Sequence, residues 1–204
     1  MLVIDISNVN GAIDFNALKA AGAKGVFVKA TEGVSFNDSL FSVNRAAAYK
    51  HGMYFGAYHF ARPDHNDPVH EANHFCNVVK KVGLRDFKPV LDFETPSNKD
   101  ALSWITAFNH VVKNRLGGYP IFYSYPAFIT GLKLPHTVGN GLWLASYSRN
   151  DGKNYPFSIP KPWIKVVAHQ FTSKWTLAGH KGYLDANYVT NVNAVLAHPW
   201  LSKL

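Results

Sequence analysis

Five short runs rich in Val, Ile, Phe and Tyr punctuate the first 125 residues, at 2–7, 25–31, 53–61, 88–94 and 119–125. Most are nearly continuous in apolar character, as strands buried on both faces tend to be. Between them lie stretches of helical period at 15–21, 38–50, 68–82 and 99–116. In the last of these, Leu102, Ile105, Phe108, Val112 and Leu116 recur at helical spacing. Ser97 with Asp100 is the expected capping pair at its start, and Gly117-Gly118 stops it. Such alternation constrains the chain to a parallel α/β sheet. After Tyr125 the pattern changes. Strand candidates at 141–147, 165–171 and 183–189 are joined by loops bearing Pro and Gly, with no convincing long helix. Five β/α units followed by three bare strands suit a barrel whose second half has lost most of its helices.

The chain has 204 residues, of which 47% are hydrophobic. That is enough for a real core and fits one domain over 1–204. A lone cysteine, Cys76, excludes an internal disulfide and a multi-cysteine zinc module. On the apolar stripe of the 68–82 helix it reads as a small core residue. No apolar stretch approaches the roughly 18–20 residues that cross a bilayer. Met1 leads straight into Leu2-Val3-Ile4-Asp5, which does not read as a signal peptide. The formal net charge of +8 favours polyanionic partners without naming them. Because the basic residues are scattered, with Lys80-Lys81 the one notable doublet, nucleic acid is not the expected partner.

The sharpest chemical feature is Pro89-Val90-Leu91-Asp92-Phe93-Glu94. Side chains two apart on a strand share a face, with Cα atoms about 6.6 Å apart. Asp92 and Glu94 therefore stand together at the end of an apolar strand, where barrel enzymes build their sites. Like charges at close range raise the proton affinity of one of them, so such a pair can supply an acid and an anion at one pH. Asp5 ends the first apolar run, and Asp185 lies near the last strand. First and last strands are neighbours in a closed barrel, so these two acids can converge as well. Tyr58, Tyr123, Tyr125, Trp143 and Tyr147 crowd the strand ends, where aromatic faces suit the apolar faces of sugar rings.

His70-Glu71-Ala72-Asn73-His74 matches the zinc-binding pattern H-E-x-x-H. Its apolar stripe, however, is Ala72, Phe75, Cys76, Val79 and Val82, which turns His70 and His74 toward solvent. His59, adjacent to Tyr58, is expected on the opposite side of its strand, packed or hydrogen-bonded. No phosphate loop, dinucleotide fingerprint or nucleophile elbow is present.

Taken together, Val3-Ile4-Asp5-Ile6-Ser7, Lys29-Ala30-Thr31-Glu32-Gly33, Gly56-Ala57-Tyr58-His59-Phe60, Asp92-Phe93-Glu94, Leu142-Trp143-Leu144-Ala145-Ser146-Tyr147 and Asp185-Ala186-Asn187 occur in the order of one family. The chain resembles the glycoside hydrolase family 25 muramidases, or lysozymes, which include many phage endolysins. The departures are Phe15 and Ala186, where the family often has Trp and Leu, and neither removes an acid. The resemblance implies a flattened, irregular TIM-like barrel of five β/α units followed by three strands. It implies hydrolysis of the β-1,4 bond between N-acetylmuramic acid and N-acetylglucosamine in bacterial peptidoglycan, with Glu94 as proton donor and Asp92, Asp5 and Asp185 as the other acids. It further implies Tyr58, Tyr123, Trp143 and Gln170 as substrate-binding residues. No cofactor, metal, nucleic acid or membrane insertion is expected. The expected protein is a monomer without a separate wall-binding domain, with anionic wall polymers as further partners. It would act at the cell wall, reached through a holin or by another export route. A non-catalytic glycan-binding module and a zinc peptidase using His70 and His74 are the competing readings.

Overall fold

The computed structural model describes residues 1–96 and 100–197. Along these residues run β1 (Leu2–Ile6), α1 (Phe15–Ala20), β2 (Gly25–Glu32), β3 (Phe36–Asn37), α2 (Phe41–Lys50), β4 (Tyr54–Phe60), α3 (Pro68–Val82) and β5 (Val90–Asp92). Then follow α4 (Ala101–Leu116), β6 (Ile121–Ser124), α5 (Pro126–Leu132), β7 (Leu142–Ala145), β8 (Ala168–Trp175), β9 (Leu184–Val189) and α6 (Val192–Val195). The sheet order is β1-β9-β8-β7-β6-β5-β4-β2-β3. Pairing of β1 with β2 closes eight strands into a barrel and leaves β3 outside it. Each of β1, β2, β4, β5 and β6 feeds a helix, while β7 and β8 feed none. The expected architecture therefore forms, with one feature that the apolar runs do not announce. Every barrel pairing is parallel except those of β9, which runs antiparallel to both β8 and β1.

Nearly continuous apolar strands are explained by two cores. Outward-facing residues such as Ile4, Val28, Leu91 and Phe122 pack against the helices with Phe75, Ile105 and Phe108. Inward-facing residues, including Val3, Phe27, Val90, Ile121 and Trp143, fill the barrel. A Cβ at Gly56 would sit 2.5 Å from the Phe27 ring and 2.9 Å from Phe87 Cβ, so only glycine lets those rings fill the interior there. Across the barrel floor, α6 is tied down by Lys88, whose Nζ donates to Ala194 O at 2.8 Å and whose N donates to Val195 O at 2.9 Å.

Several boundaries differ from expectation for local reasons. The run at 88–94 shrinks to Val90–Asp92 because Pro89 has no N–H to offer. Glu94 thus stands just past the strand end. The helix expected from 38 begins at Phe41, since Asp38 accepts from Leu40 N at 2.9 Å and Asn8 N at 2.7 Å. Asp100 itself caps α4 by accepting from Leu102 N; Ser97 lies outside the described residues. The strand expected at 165–171 runs instead from Ala168 to Trp175, because its end leaves the barrel as a hairpin arm with β9 and no longer needs apolar side chains. The short α5 follows Tyr125 and supplies the helix of the fifth unit, whose range the sequence pattern does not mark.

Candidate active site

At the mouth of the barrel, inward-facing side chains turn from apolar to ionisable. A cleft of about 210 Å³ opens there, lined by Asp5, Asp92, Glu94 and Asp185 together with Lys29, Tyr58, Tyr123 and Trp143. The four acids and three of the five aromatics singled out from the sequence thus share one cavity, while Tyr125 and Tyr147 do not line it. Asp5 and Asp185 are direct cross-strand partners in the β1–β9 ladder. The antiparallel course of β9 is what delivers this contact: it brings the start of β9 to the face where the other strands end. Asp92 is in register with Phe60 on one side and Tyr123 on the other.

Asp5 sits in a chain of side-chain hydrogen bonds. Its Oδ2 accepts from Asn187 Nδ2 at 2.7 Å and from Gln170 Nε2 at 3.0 Å. Gln170 Oε1 accepts from the hydroxyls of Tyr123, at 2.9 Å, and Tyr147. Asn187 Oδ1 accepts from Trp143 Nε1 at 2.7 Å. Gln170 therefore stands behind the cleft wall, 2% exposed, with both ends of its amide occupied. Its observed contacts hold Asp5 and the tyrosines in place. By contrast, Asp92 Oδ1 is buried with no hydrogen-bond partner among the described residues. A buried acceptor left open is costly unless a proton or an incoming donor meets it.

Electrostatics follow from crowding in a poorly hydrated place. Burial, then the charge of Asp185, raises Asp5 well above the usual carboxylate range, against the pull of the two amide donors. Burial, then Glu94 and Asp5, does the same to Asp92. Glu94 is raised by burial and by Asp185, with Lys29 opposing. Burial pushes Asp185 up to about 6. Tyr58, partly buried, and Tyr123, buried, stand among these acids and are held firmly as neutral phenols. The cleft therefore holds four carboxyl groups whose proton affinity is raised by burial and, for Asp5, Asp92 and Glu94, by the charge of other acids in the cleft.

Sequence reasoning missed the cation of the site. Lys29 reaches the cleft from β2 and forms an ion pair with Glu32, while its ammonium lies 4.7 Å from the centre of the Phe60 ring. Arg62 Nε donates to Glu32 Oε1 at 2.7 Å, which makes a charged rim. The available signal was the strand period: Phe27 faces the barrel interior, so Lys29, two residues on, does too. Asn187 was also passed over, although it shares β9 and a face with Asp185.

The His-Glu-x-x-His helix takes no part in the cleft. Glu71, fully buried, turns inward: His59 Nε2 lies 2.7 Å from its Oε2, and the backbone N–H of Arg62 donates to both its oxygens at 3.2 Å. His59 Nδ1 is 2.8 Å from Thr31 Oγ1, so this histidine is packed and hydrogen-bonded as expected. His70 is exposed, and His74 Nε2 bonds the carbonyl of Phe36 at 3.1 Å. Among the described residues no group of three His, Cys, Asp or Glu side chains could hold a metal ion. Cys76 is buried on the same helix, its thiol pushed up to about 11 by burial.

Comparison with known proteins matches residues 4–180 to the family model described as glycosyl hydrolases family 25. Lysozyme M1 of Streptomyces globisporus is 40% identical over 198 residues, covering 90% of this chain and 66% of the relative. The autolytic lysozyme of Clostridium acetobutylicum is 32% identical over 188 residues, covering 89% of this chain and 53% of the relative. The chain thus spans about half to two thirds of the length of these two relatives. Among solved structures, a family 25 glycosyl hydrolase from Bacillus anthracis superposes with a TM-score of 0.76 at 25% identity, over 94% of this chain and 89% of that one.

Proposed function

Because the chain belongs to glycosyl hydrolase family 25, we propose that it is a lysozyme, cleaving the β-1,4 bond between N-acetylmuramic acid and N-acetylglucosamine of bacterial peptidoglycan. The observation that carries this reading is the convergence of Asp5, Asp92, Glu94 and Asp185 on one cleft, with proton affinity raised in each. Glycoside hydrolysis needs a carboxyl group that keeps its proton and a second that is charged or accepts hydrogen bonds beside it. Glu94 is the proton donor. It is the catalytic-strand acid nearer solvent, at the end of β5, where a glycosidic oxygen can reach it. Asp92 faces the sugar with its unpartnered Oδ1, which can accept the N–H of the substrate's acetamido group or stabilise positive charge developing at the anomeric carbon. Asp5 is held by Asn187 and Gln170, and with Asp185 it keeps the field of the cleft negative, which favours a cationic transition state. Tyr58, Tyr123 and Trp143 provide the wall against which a sugar ring packs.

The remaining charge supports a role at the wall. Glu71 is buried, Asp14, Asp67 and Asp100 cap helices, and four acids line the cleft. Among the described Lys and Arg side chains, only Lys29 and Arg62 enter ion pairs with acids. The outer surface is therefore left cationic and suited to anionic wall polymers. The test is Glu94→Gln: release of reducing ends from purified peptidoglycan should fall by roughly 10²–10⁴-fold with an unchanged melting profile. Near-normal turnover in a folded variant would remove Glu94 from the acid role.

A further inference from the structure

At the rim of the cleft a cation is held one step away from the acids. Lys29 lines the same cavity as Asp92 and Glu94. Its ammonium pairs with Glu32 and, among the described residues, makes no ion pair with any of the four cleft acids. The rings of Phe60 and Phe36 are centred 4.7 and 5.5 Å from it. Glu32 is shared. Its Oε2 meets Lys29, while its Oε1 accepts from Arg62 Nε at 2.7 Å. The Arg62 guanidinium in turn lies 4.7 Å from the centre of the Phe60 ring. Two cations on one carboxylate leave this trio positive beside an acidic cleft.

The clamp is anchored from behind. Thr31, next to Glu32, has its Oγ1 2.8 Å from His59 Nδ1. Glu71, bonded to the other nitrogen of His59, accepts the backbone N–H of Arg62. Gly33 turns the chain after Glu32 with φ 54°, and a Cβ there would lie 3.0 Å from Asn66 Nδ2 and 3.6 Å from Arg62 Cγ. Both residues that hold the Lys29 side chain therefore spring from fixed backbone. The buried Glu71 of the His-Glu-x-x-His helix serves this rim, where it does nothing for a metal.

A cation in direct contact with Glu94 would hold it ionised and disarm it as an acid. A cation kept on Glu32 leaves the proton in place. Transfer of that proton reverses the need. The O–H bond of Glu94 breaks, and the proton joins the glycosidic oxygen as its bond to the anomeric carbon breaks. Glu94 is left a carboxylate. A water then gives its oxygen to the anomeric carbon, one of its protons restores Glu94, and the other stays on the sugar. The new carboxylate stands among Asp5, Asp92 and Asp185, with Tyr58, Tyr123 and Tyr147 held as neutral phenols nearby. Lys29 is the group of opposite charge lining that cavity. We propose that Lys29 is a positioning residue that steadies Glu94 as it ionises, and that Glu32 and Arg62 hold it where it does so without taking the proton beforehand. Burial, then Asp185, raises the proton affinity of Glu94, and Lys29 opposes them, in the sense this role requires. The proposal rests on the lysozyme reading above and deepens it.

The test follows the titration of Glu94 and the turnover separately, in the whole chain. Lys29→Met keeps an unbranched side chain against the Phe36 and Phe60 rings. It should raise the Glu94 midpoint, read from its carboxyl carbon-13 resonance, by about one pH unit. On purified peptidoglycan it should lower kcat by roughly ten- to a hundredfold with KM unchanged, while the alkaline limb of the rate profile moves up with the midpoint. Glu32→Gln should shift the midpoint and the limb the other way, because the released ammonium can approach the acids. Opposite shifts from two rim substitutions are a signature that a loss of packing does not produce. Should Lys29→Met fail to fold, the downward shift in Glu32→Gln decides by itself. A Glu94 midpoint unmoved in the folded variants overturns the proposal, as do shifts of the same sign or a Lys29→Met loss confined to KM. Absence of reducing-end release by the unsubstituted protein would sink the lysozyme reading, and the carbon-13 titrations would still decide whether Lys29 governs Glu94.

Discussion

Replacing Asp185 by Asn should stabilise the protein near neutral pH and leave its stability unchanged near pH 3.5. Asp185 stands opposite Asp5 in the ladder, and burial lifts it from 3.8 to about 6. Below pH 3.8 the group is protonated in both folded and unfolded chains and costs nothing. Between 3.8 and 6 the unfolded chain ionises and the folded one does not, so folding stability falls as pH rises. Above 6 the penalty is constant. A gap from 3.8 to about 6 corresponds to about 3 kcal/mol at 1.36 kcal/mol per pH unit. The asparagine variant should recover up to that amount at pH 7, a melting-point gain of about 6–12 °C for a chain of this size. Loss of the charge also eases Asp5 and Glu94, for both of which Asp185 is a cause of raised proton affinity. Denaturant titrations of both proteins from pH 3.5 to 8 provide the check. A stability difference that is flat with pH, or a variant less stable at pH 7, would refute the picture of an acid whose ionised form the fold buries at a cost.

Glu71→Ala should destabilise by about 3–5 kcal/mol, because it leaves His59 and the Arg62 N–H facing an empty, buried site; a urea midpoint corresponding to less than 1 kcal/mol would show that the pair matters little. Wall binding should weaken steeply as salt rises from 0.05 to about 0.5 M, since screening shortens the reach of surface charge. Salt-independent sedimentation with whole walls would dissociate the cationic exterior from attachment.

The barrel was legible because its strands are short, apolar and separated by helices with clear stripes. The acids were legible because charge at the end of an apolar run has few structural uses. Less visible was anything that depends on partners far along the chain. The direction of β9 is set by its pairing with β8 and β1, and no residue in 184–189 encodes that locally. Gln170 was recognisable as belonging to the site, yet its place behind the wall depends on Tyr123, Tyr147 and Asp5 all arriving around it. Lys29 was obscured by an otherwise apolar strand. The end of β8 was misplaced because Ser173 and Lys174 belong to an arm that solvent reaches, where apolar character stops being a guide.

The bond between Asn187 and Asp5 joins positions 182 apart. A ribosome that has made the first half of the polypeptide has already released Asp5, Asp92 and Glu94, but the β9 residues that hold and face Asp5 are not yet made. Domains assemble during synthesis from the amino end, at roughly 5–20 residues per second, so the final strand is also the final part of the catalytic apparatus. A product that stops short of β9 lacks Asp185 and Asn187, and the edge of β1 meant for β9 lies open to strand pairing with other chains. Synthesis of β9 is therefore the event that completes the acid cluster.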